Sequence, residues 1–271
     1  MSLVYLSDFN SIGSNFKIRD YLVSASDYDD FCSVAGESHI NTEYLNLEGN
    51  LNTTIKWLLE KLEGSDYDID GINISSSSLE LSPVQFVELW RSVANIPRLN
   101  SKNARFVTGK GCNSFISSLA DAARDVRLGL SSVVVCISIE MHPPGLPRMT
   151  DYGFFGDAVT VVIVSGNQGS ILLSEHNSKS VFKSADVLPY RNFIDFELDE
   201  LVSFNTLNLF SHLNIVKYAG LLDLMHTDFK PHCYSVDPIA NFFGGRKELG
   251  IHLLHSESPP GHIDSLLINV I

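Results

Sequence analysis

Two hydrophobic periods alternate along the chain and outline an α/β order. "LVYL" (residues 3–6) and "IDGINIS" (69–75) are short apolar runs of strand length. "NLNTTIKWLLEKLEG" (50–64) carries Ile55, Leu58, Leu59 and Leu62 at helical spacing and stops at Gly64. "SPVQFVELWRSV" (82–93) opens with Ser82 as a helix N-cap and Pro83 at the first helical position, where its missing N–H costs nothing. "ARFVTG" (104–109) predicts a strand, and "SFISSLADAARDVRLG" (114–129) predicts a helix ending at Gly129. "SSVVVCISIE" (131–140) is nearly continuously apolar, the mark of a strand buried on both faces. "DAVTVVIVS" (157–165) predicts another strand.

The second half is less regular until its end. There "HCYSVDP" (232–238) leads into "IANFFGGRKELG", then strand "IHLLHS", loop "ESPPGH" and strand "IDSLLINVI". The first half runs in the same order after residue 111: a reactive-type residue, helix, strand, loop, strand. This is a repeat of order and not of identity, and it predicts two similar α/β halves.

Composition narrows the function classes. The chain has 271 residues, 44% of them hydrophobic and 19% charged, with a formal net charge of −13. So acidic a chain is a poor match for a nucleic-acid backbone, which calls for a cationic surface. The charge is uneven. Residues 27–70 hold eleven acids against Lys56 and Lys61, whereas residues 89–111 hold no acid but carry Arg91, Arg98, Lys102, Arg105 and Lys110. That basic stretch is either an ordinary solvated face or a docking site for an anionic partner, such as a carrier-protein helix or a nucleotide phosphate. No apolar run reaches the roughly 18 residues of a membrane span, and the N-terminus lacks the pattern of a signal peptide. The four cysteines (Cys32, Cys112, Cys136, Cys233) show no paired spacing, and the nine histidines show no metal-ligand spacing. The expectation is a cytoplasmic protein with reduced thiols and no metal.

One short stretch carries chemistry. In "TGKGCNSFISSL" (108–119), Gly109 and Gly111 deliver Cys112 to the start of a helix. Helix N-termini favour a thiolate, the nucleophilic form of cysteine, and glycines permit a sharp turn and the close approach of a substrate. Cys112 is thus a candidate nucleophile, against the alternative of a small buried residue in a turn. Cys136, inside the apolar strand, reads as inert core. Asp157 of "FGD" reads as a structural carboxylate.

From the cysteine segment onward the chain resembles the thiolase superfamily, and within it the β-ketoacyl-ACP synthase III-like branch. "GCNSFISSLADAARDVRLGLSSVVVCISIE" is similar to that family's nucleophile segment, and "FGDAVTVVIVS" to its Phe-Gly-Asp-Gly strand, with Ala158 in place of Gly. "LFSHLNIVKYAG" resembles its Pro-His-Gln-Ala-Asn motif. "PHCYSVDPIANFF" resembles its Gly-Asn segment in a variant with His for Asn, and "GIHLLHSESPPGHIDSLLINVI" its C-terminal hairpin. The resemblance covers residues 104–271 in pieces. It implies a thiolase-like fold in which two βαβαβ-type halves pack as a layered α-β-α-β-α domain. The first half spans residues 1–165 and carries the nucleophile. The second, shortened half spans residues 166–271 and carries the histidines.

By the same resemblance Cys112 accepts an acyl group from a thioester, His212 is the catalytic histidine, and His232 stands at the asparagine position. The substrate is acyl-CoA or acyl carrier protein, with no permanently bound cofactor and with a homodimer or a heterodimer with a homologue. Two departures bear on function. The loop that supplies an oxyanion-hole N–H in the family contains Pro259 and Pro260 here, and proline has no N–H. The chain is also short between Phe-Gly-Asp and His212. These features imply a specialised-metabolite acyltransferase. A non-catalytic partner of an active homologue and a thioester hydrolase are the alternatives.

Overall fold

The structure, a computed structural model, describes residues 4–8, 16–17, 29, 43–44, 46–47, 62, 67–78, 83–94, 99–143, 145–150, 153–166, 169–180, 201–205, 234–244, 248–258 and 262–271. In chain order the strands are β1 (Val4–Asp8), β2 (Phe16–Lys17), β3 (Glu43–Tyr44), β4 (Ile69–Ser75), β5 (Leu99–Val107), β6 (Val133–Glu140), β7 (Met149–Thr150), β8 (Gly153–Phe154), β9 (Ala158–Ser165), β10 (Ile171–Ser180), β11 (Leu201–Asn205), β12 (Gly250–Ser258) and β13 (His262–Val270). The helices among the described residues are α1 (Pro83–Ala94), α2 (Ser114–Arg127) and α3 (Asp237–Gly244). None of these helices is long and apolar enough to cross a membrane.

Nine strands hydrogen-bond in the order β11-β12-β13-β10-β1-β9-β6-β4-β5. β4 is parallel to both β5 and β6, so each connection needs a crossover, which α1 and α2 supply. β9 returns antiparallel to β6, with Val133 opposite Ser165 and Glu140 opposite Ala158. In the second half β12 and β13 form the expected antiparallel hairpin, pairing Gly250 with Val270 and Ser258 with His262. The halves meet where β1 pairs antiparallel with β10, so the two predicted half-sheets are hydrogen-bonded into one run.

The apolar runs explain the layers. All eight residues of β9 are buried, as are Val134 to Glu140 of β6, because both faces of these strands are covered. On one face Ile72, Ile74, Val135, Ile137 and Ile163 pack beneath Leu89 of α1, with Leu62 beside them. On the other face Phe115, Ile116 and Leu119 of α2 meet Val236, Ile239 and Phe242 from the α3 side. The same cluster takes in Val134 and Val162 of the first half-sheet and Leu254, Leu266 and Ile268 of the second. α2 and α3 therefore lie between the two half-sheets, and burial of this shared apolar surface holds the halves together.

The predicted repeat of order is visible. A 3₁₀ turn, Gly111–Asn113, opens α2, which precedes β6 and its antiparallel partner β9. A second 3₁₀ turn, Tyr234–Val236, opens α3, which precedes the antiparallel pair β12 and β13. The helix expected over residues 50–64 lies outside the described residues apart from Leu62, which is buried. Gly129 ends α2 as expected, with φ of 70°, a left-handed conformation that glycine adopts cheaply.

Candidate active site

Cys112 sits in the 3₁₀ turn directly ahead of α2 and is half-buried. Gly109 (φ 77°) and Gly111 (φ 52°) both adopt the left-handed region that aims the turn. Gly111 also faces β12: a Cβ added there would lie 1.9 Å from Ser258 Oγ and 3.0 Å from Ser258 Cβ. β12 fixes the cysteine's backbone as well, since Ser256 Oγ donates to Cys112 O at 2.8 Å. Lys110 is held from behind, its Nζ donating to Ser117 Oγ at 2.9 Å. Ser117 in turn donates to the buried carboxylate of Asp264, and His176 Nε2 lies 3.5 Å from the same group. Burial opposes ionisation of Asp264, but hydrogen bonds from His176, Ser117 and Ser178 outweigh it and hold the carboxyl below its ordinary value.

The turn of Cys112 packs on the second 3₁₀ turn, Tyr234–Val236. Tyr234 has φ of 54°, unusual for a bulky side chain and costly unless the surroundings enforce it. Its phenol is 2.7 Å from His142 Nδ1, and His142 Nε2 lies 3.3 Å from the Leu146 carbonyl. A carbonyl can only accept, so Nε2 carries the imidazole proton and Nδ1 accepts from Tyr234. Burial first and the Arg148 guanidinium second hold the His142 pKa below its ordinary value. Burial, then the charges of Glu140 and Asp157, raise that of Tyr234.

Two anchors set this pair. Phe155 stacks on His142, centroids 5.5 Å apart, and packs on Tyr234 at 4.9 Å. Asp157 accepts from His142 N at 2.8 Å, from Leu47 N at 2.6 Å and from Arg148 Nη1 at 2.9 Å. The "FGD" stretch is thus structural, as its sequence context predicts. The second anchor is Glu140, fully buried at the end of β6. The N–H groups of Ser77 and Ser78 donate to it at 3.0 Å, the Ser77 and Ser78 hydroxyls at 2.9 and 2.7 Å, and Ser235 makes a further short bond. Burial outweighs these donors and raises the Glu140 pKa above its ordinary value.

Of the sequence-predicted site residues, the structure places Cys112 at the helix entry; His212 and His232 lie outside the described residues, as do Pro259 and Pro260. Cys136 is inert core, with burial pushing its thiol up to about 12. Among the described residues no group of three or more His, Cys, Asp or Glu could hold a metal ion. Two of the five basic residues of the 89–111 stretch are engaged internally: Lys110 with Ser117, and Arg105 with Asp125 at 2.8 Å. Sequence reasoning missed His142, Tyr234 and Glu140. Only Glu140 left a signal, as a carboxylate closing an otherwise apolar buried strand.

No protein-family model matches the sequence, and no curated protein matches it. Solved structures do. An acyltransferase named ChlB3 superposes with a TM-score of 0.76 at 12% identity, covering 99% of this chain and 98% of that one. The fold is thiolase-like. 3-Oxoacyl-(acyl carrier protein) synthase III from Pseudomonas aeruginosa PAO1 matches with a TM-score of 0.74 at 11% identity, covering 99% and 98% of the two chains. OleA from Xanthomonas campestris matches at 0.68 and 10%, covering 98% of each. The thiolase-like framework therefore spans nearly the whole chain, including the residues before 104 where the sequence showed only an order of elements.

Two predictions follow from the turn and the buried carboxylate. Gly109→Ala, with open space around its added Cβ, loses only the left-handed term of about 1–2 kcal/mol. Gly111→Ala adds the overlap with Ser258 and loses about 2–5 kcal/mol in chemical denaturation. For Glu140 the raised folded-state pKa means that the folded chain binds a proton more readily than the unfolded one. Stability therefore falls as pH rises from the ordinary value of 4.5 through the raised one. Glu140→Gln is less stable by about 1–3 kcal/mol because one of the two oxygens that accept from the serines becomes an NH2 donor facing donors, and its stability profile is flatter across that window. Parallel pH profiles for the two proteins would contradict the assignment.

Proposed function

We propose that this chain is an acyltransferase that moves an acyl group from a coenzyme A or carrier-protein thioester onto Cys112, and from there to a carbon, amine or hydroxyl acceptor. The observation that carries the reading is the placement of Cys112 at the entry of α2, on a turn of two left-handed glycines that packs on the Tyr234–Val236 turn. The fold adds support, because similar solved structures are titled as an acyltransferase and as 3-oxoacyl synthases, and one OleA structure is titled with bound lauroyl-CoA. In this reading the thiolate attacks the thioester carbonyl, the carbon–sulfur bond to the donor breaks, and the acyl group rests on Cys112 until the acceptor bonds to its carbonyl carbon and the Cys112 thiolate leaves. His212 and His232, from the sequence resemblance, handle protons and the carbonyl oxygen of the acceptor step. The protein is proposed to act in the cytoplasm as a dimer, in specialised-metabolite synthesis.

The test is rapid-quench quantification of free coenzyme A after mixing the protein with a panel of acyl-CoA thioesters, with acyl carrier thioesters alongside. The expected result is a burst of about one equivalent per chain without acceptor, absent in Cys112→Ala. Continuous release of free acid without acceptor would indicate the hydrolase. A folded protein with no burst on any donor would overturn the acyl-enzyme reading in favour of a partner subunit.

A further inference from the structure

We propose that Ser256 is a positioning residue for Cys112: its hydroxyl, with Ser258 and Asp264 beside it on the β12–β13 hairpin, holds the nucleophile turn from the second half and so sets where the thiol meets a thioester carbon. This rests on the acyl-enzyme reading above. Glycine allows a left-handed turn but does not enforce one, because it has no side chain to exclude the alternatives. With left-handed glycines at 109 and 111, the turn's own sequence leaves the backbone around Cys112 weakly specified. The carbonyls of Lys110 and Gly111 are held locally, the first by Asn113 N at 3.2 Å and the second by Ser114 Oγ at 2.8 Å. The Cys112 carbonyl is held from the other half: Ser256 Oγ donates to it at 2.8 Å, across 144 residues of sequence.

Two neighbours on the same hairpin extend the grip to the residues before the cysteine. Ser258 stands so close to Gly111 that an added Cβ there would lie 1.9 Å from its Oγ. Asp264, directly opposite Ser256 in the hairpin, accepts from Ser117, and Ser117 accepts from Lys110 Nζ at 2.9 Å. Lys110, Gly111 and Cys112 are thus each held, directly or through Ser117, by one hairpin. Residues two apart on a strand, or opposite each other across a pair, share a face of the sheet, so Ser256, Ser258 and Asp264 all reach the turn. His255 and Ser265, one residue along, take the opposite face and bond to each other at 2.7 Å. Ser256, Ser258 and Asp264 are all buried, which keeps water from competing for these bonds. The chemistry shows why the hold matters. In acylation Cys112 Sγ bonds to the thioester carbon while the bond from that carbon to the donor sulfur breaks and the donor leaves as a thiolate. The reacting atoms have to start about 3–3.5 Å apart, and a shift of about 1 Å costs on the order of a hundredfold in rate. Fixing the Cys112 carbonyl fixes the backbone from which the thiol projects. Ser256 is fully buried and offers no surface to the donor, so its effect falls on bond formation and not on donor binding.

The test makes two measurements on the wild type, Ser256→Ala, Ser256→Thr and a control, Ser265→Ala, with thermal unfolding as the check on folding. One is hydrogen exchange of the peptide spanning residues 108–119, which needs no acyl donor. The other is the single-turnover rate of Cys112 acylation against acyl-CoA concentration. In Ser256→Ala the peptide exchanges faster and the maximal acylation rate falls by about tenfold or more, while the half-saturating donor concentration stays within about twofold. Ser256→Thr keeps the hydroxyl and recovers most of the rate. Ser265→Ala removes a hydroxyl from the other face of the same hairpin, lowers thermal stability and leaves both readouts unchanged. An unchanged acylation rate or an unchanged exchange rate in folded Ser256→Ala overturns the positioning role and leaves the acyl-enzyme reading standing. So does an equal loss in Ser265→Ala, which marks a general loosening of the hairpin. A wild type that no thioester acylates overturns the acyl-enzyme reading, and the role of Ser256 in that reaction falls with it.

Discussion

A single buried carboxylate ties together three segments that lie far apart in the chain. Glu140, at the end of β6, gathers the serines that follow β4 (Ser77 and Ser78) and Ser235 of the turn ahead of α3. A buried carboxyl without hydrogen-bond partners is expensive, so the donors have to be present for the fold to tolerate it. The consequence is positional. Ser235 is the neighbour of Tyr234, so satisfying Glu140 also fixes the backbone that carries the phenol. The apolar layer of α2 and α3 brings the half-sheets together, and Glu140 sets how the second 3₁₀ turn meets the first.

The remaining anchors follow the same logic. Each half contributes a 3₁₀ turn that opens a helix, and the two turns pack against each other, with α2 also resting on the second turn. On one side the serines of β12 steady Cys112 and crowd Gly111. On the other side Asp157 and Phe155 hold His142 by its backbone and by its ring. Arg148 links that bracket to Asn46 at 2.9 Å and covers the ring of Tyr44 at 5.4 Å, so the site's rear wall draws on the N-terminal part of the chain. The Cys112 thiol is thereby held half-exposed on a frame whose polar groups are mostly engaged with one another.

The framework was legible because burial writes itself into hydrophobic period. The continuous apolar run of β6 announced a strand covered on both faces, that of β9 announced a strand, and Pro83 and Gly129 marked helix ends. Cys112 was legible through its glycines, whose left-handed backbone is a local property. Asp157 was correctly read as structural. Tyr234 and His142 were not legible, since their meeting depends on packing between segments more than ninety residues apart and on a positive φ that no tyrosine advertises. Charge left the basic stretch of residues 89–111 open between a solvated face and a docking site, and two of its side chains, Arg105 and Lys110, are engaged with Asp125 and Ser117.

The proposed function turns on acylation of Cys112. The most direct measurement is peptide mapping by mass spectrometry after incubation with lauroyl-CoA and a range of shorter and longer acyl thioesters. The expected result is an acyl adduct on the peptide bearing Cys112 and none on that bearing Cys136. An adduct on a different cysteine, or a folded protein that none of these donors modifies, would contradict it.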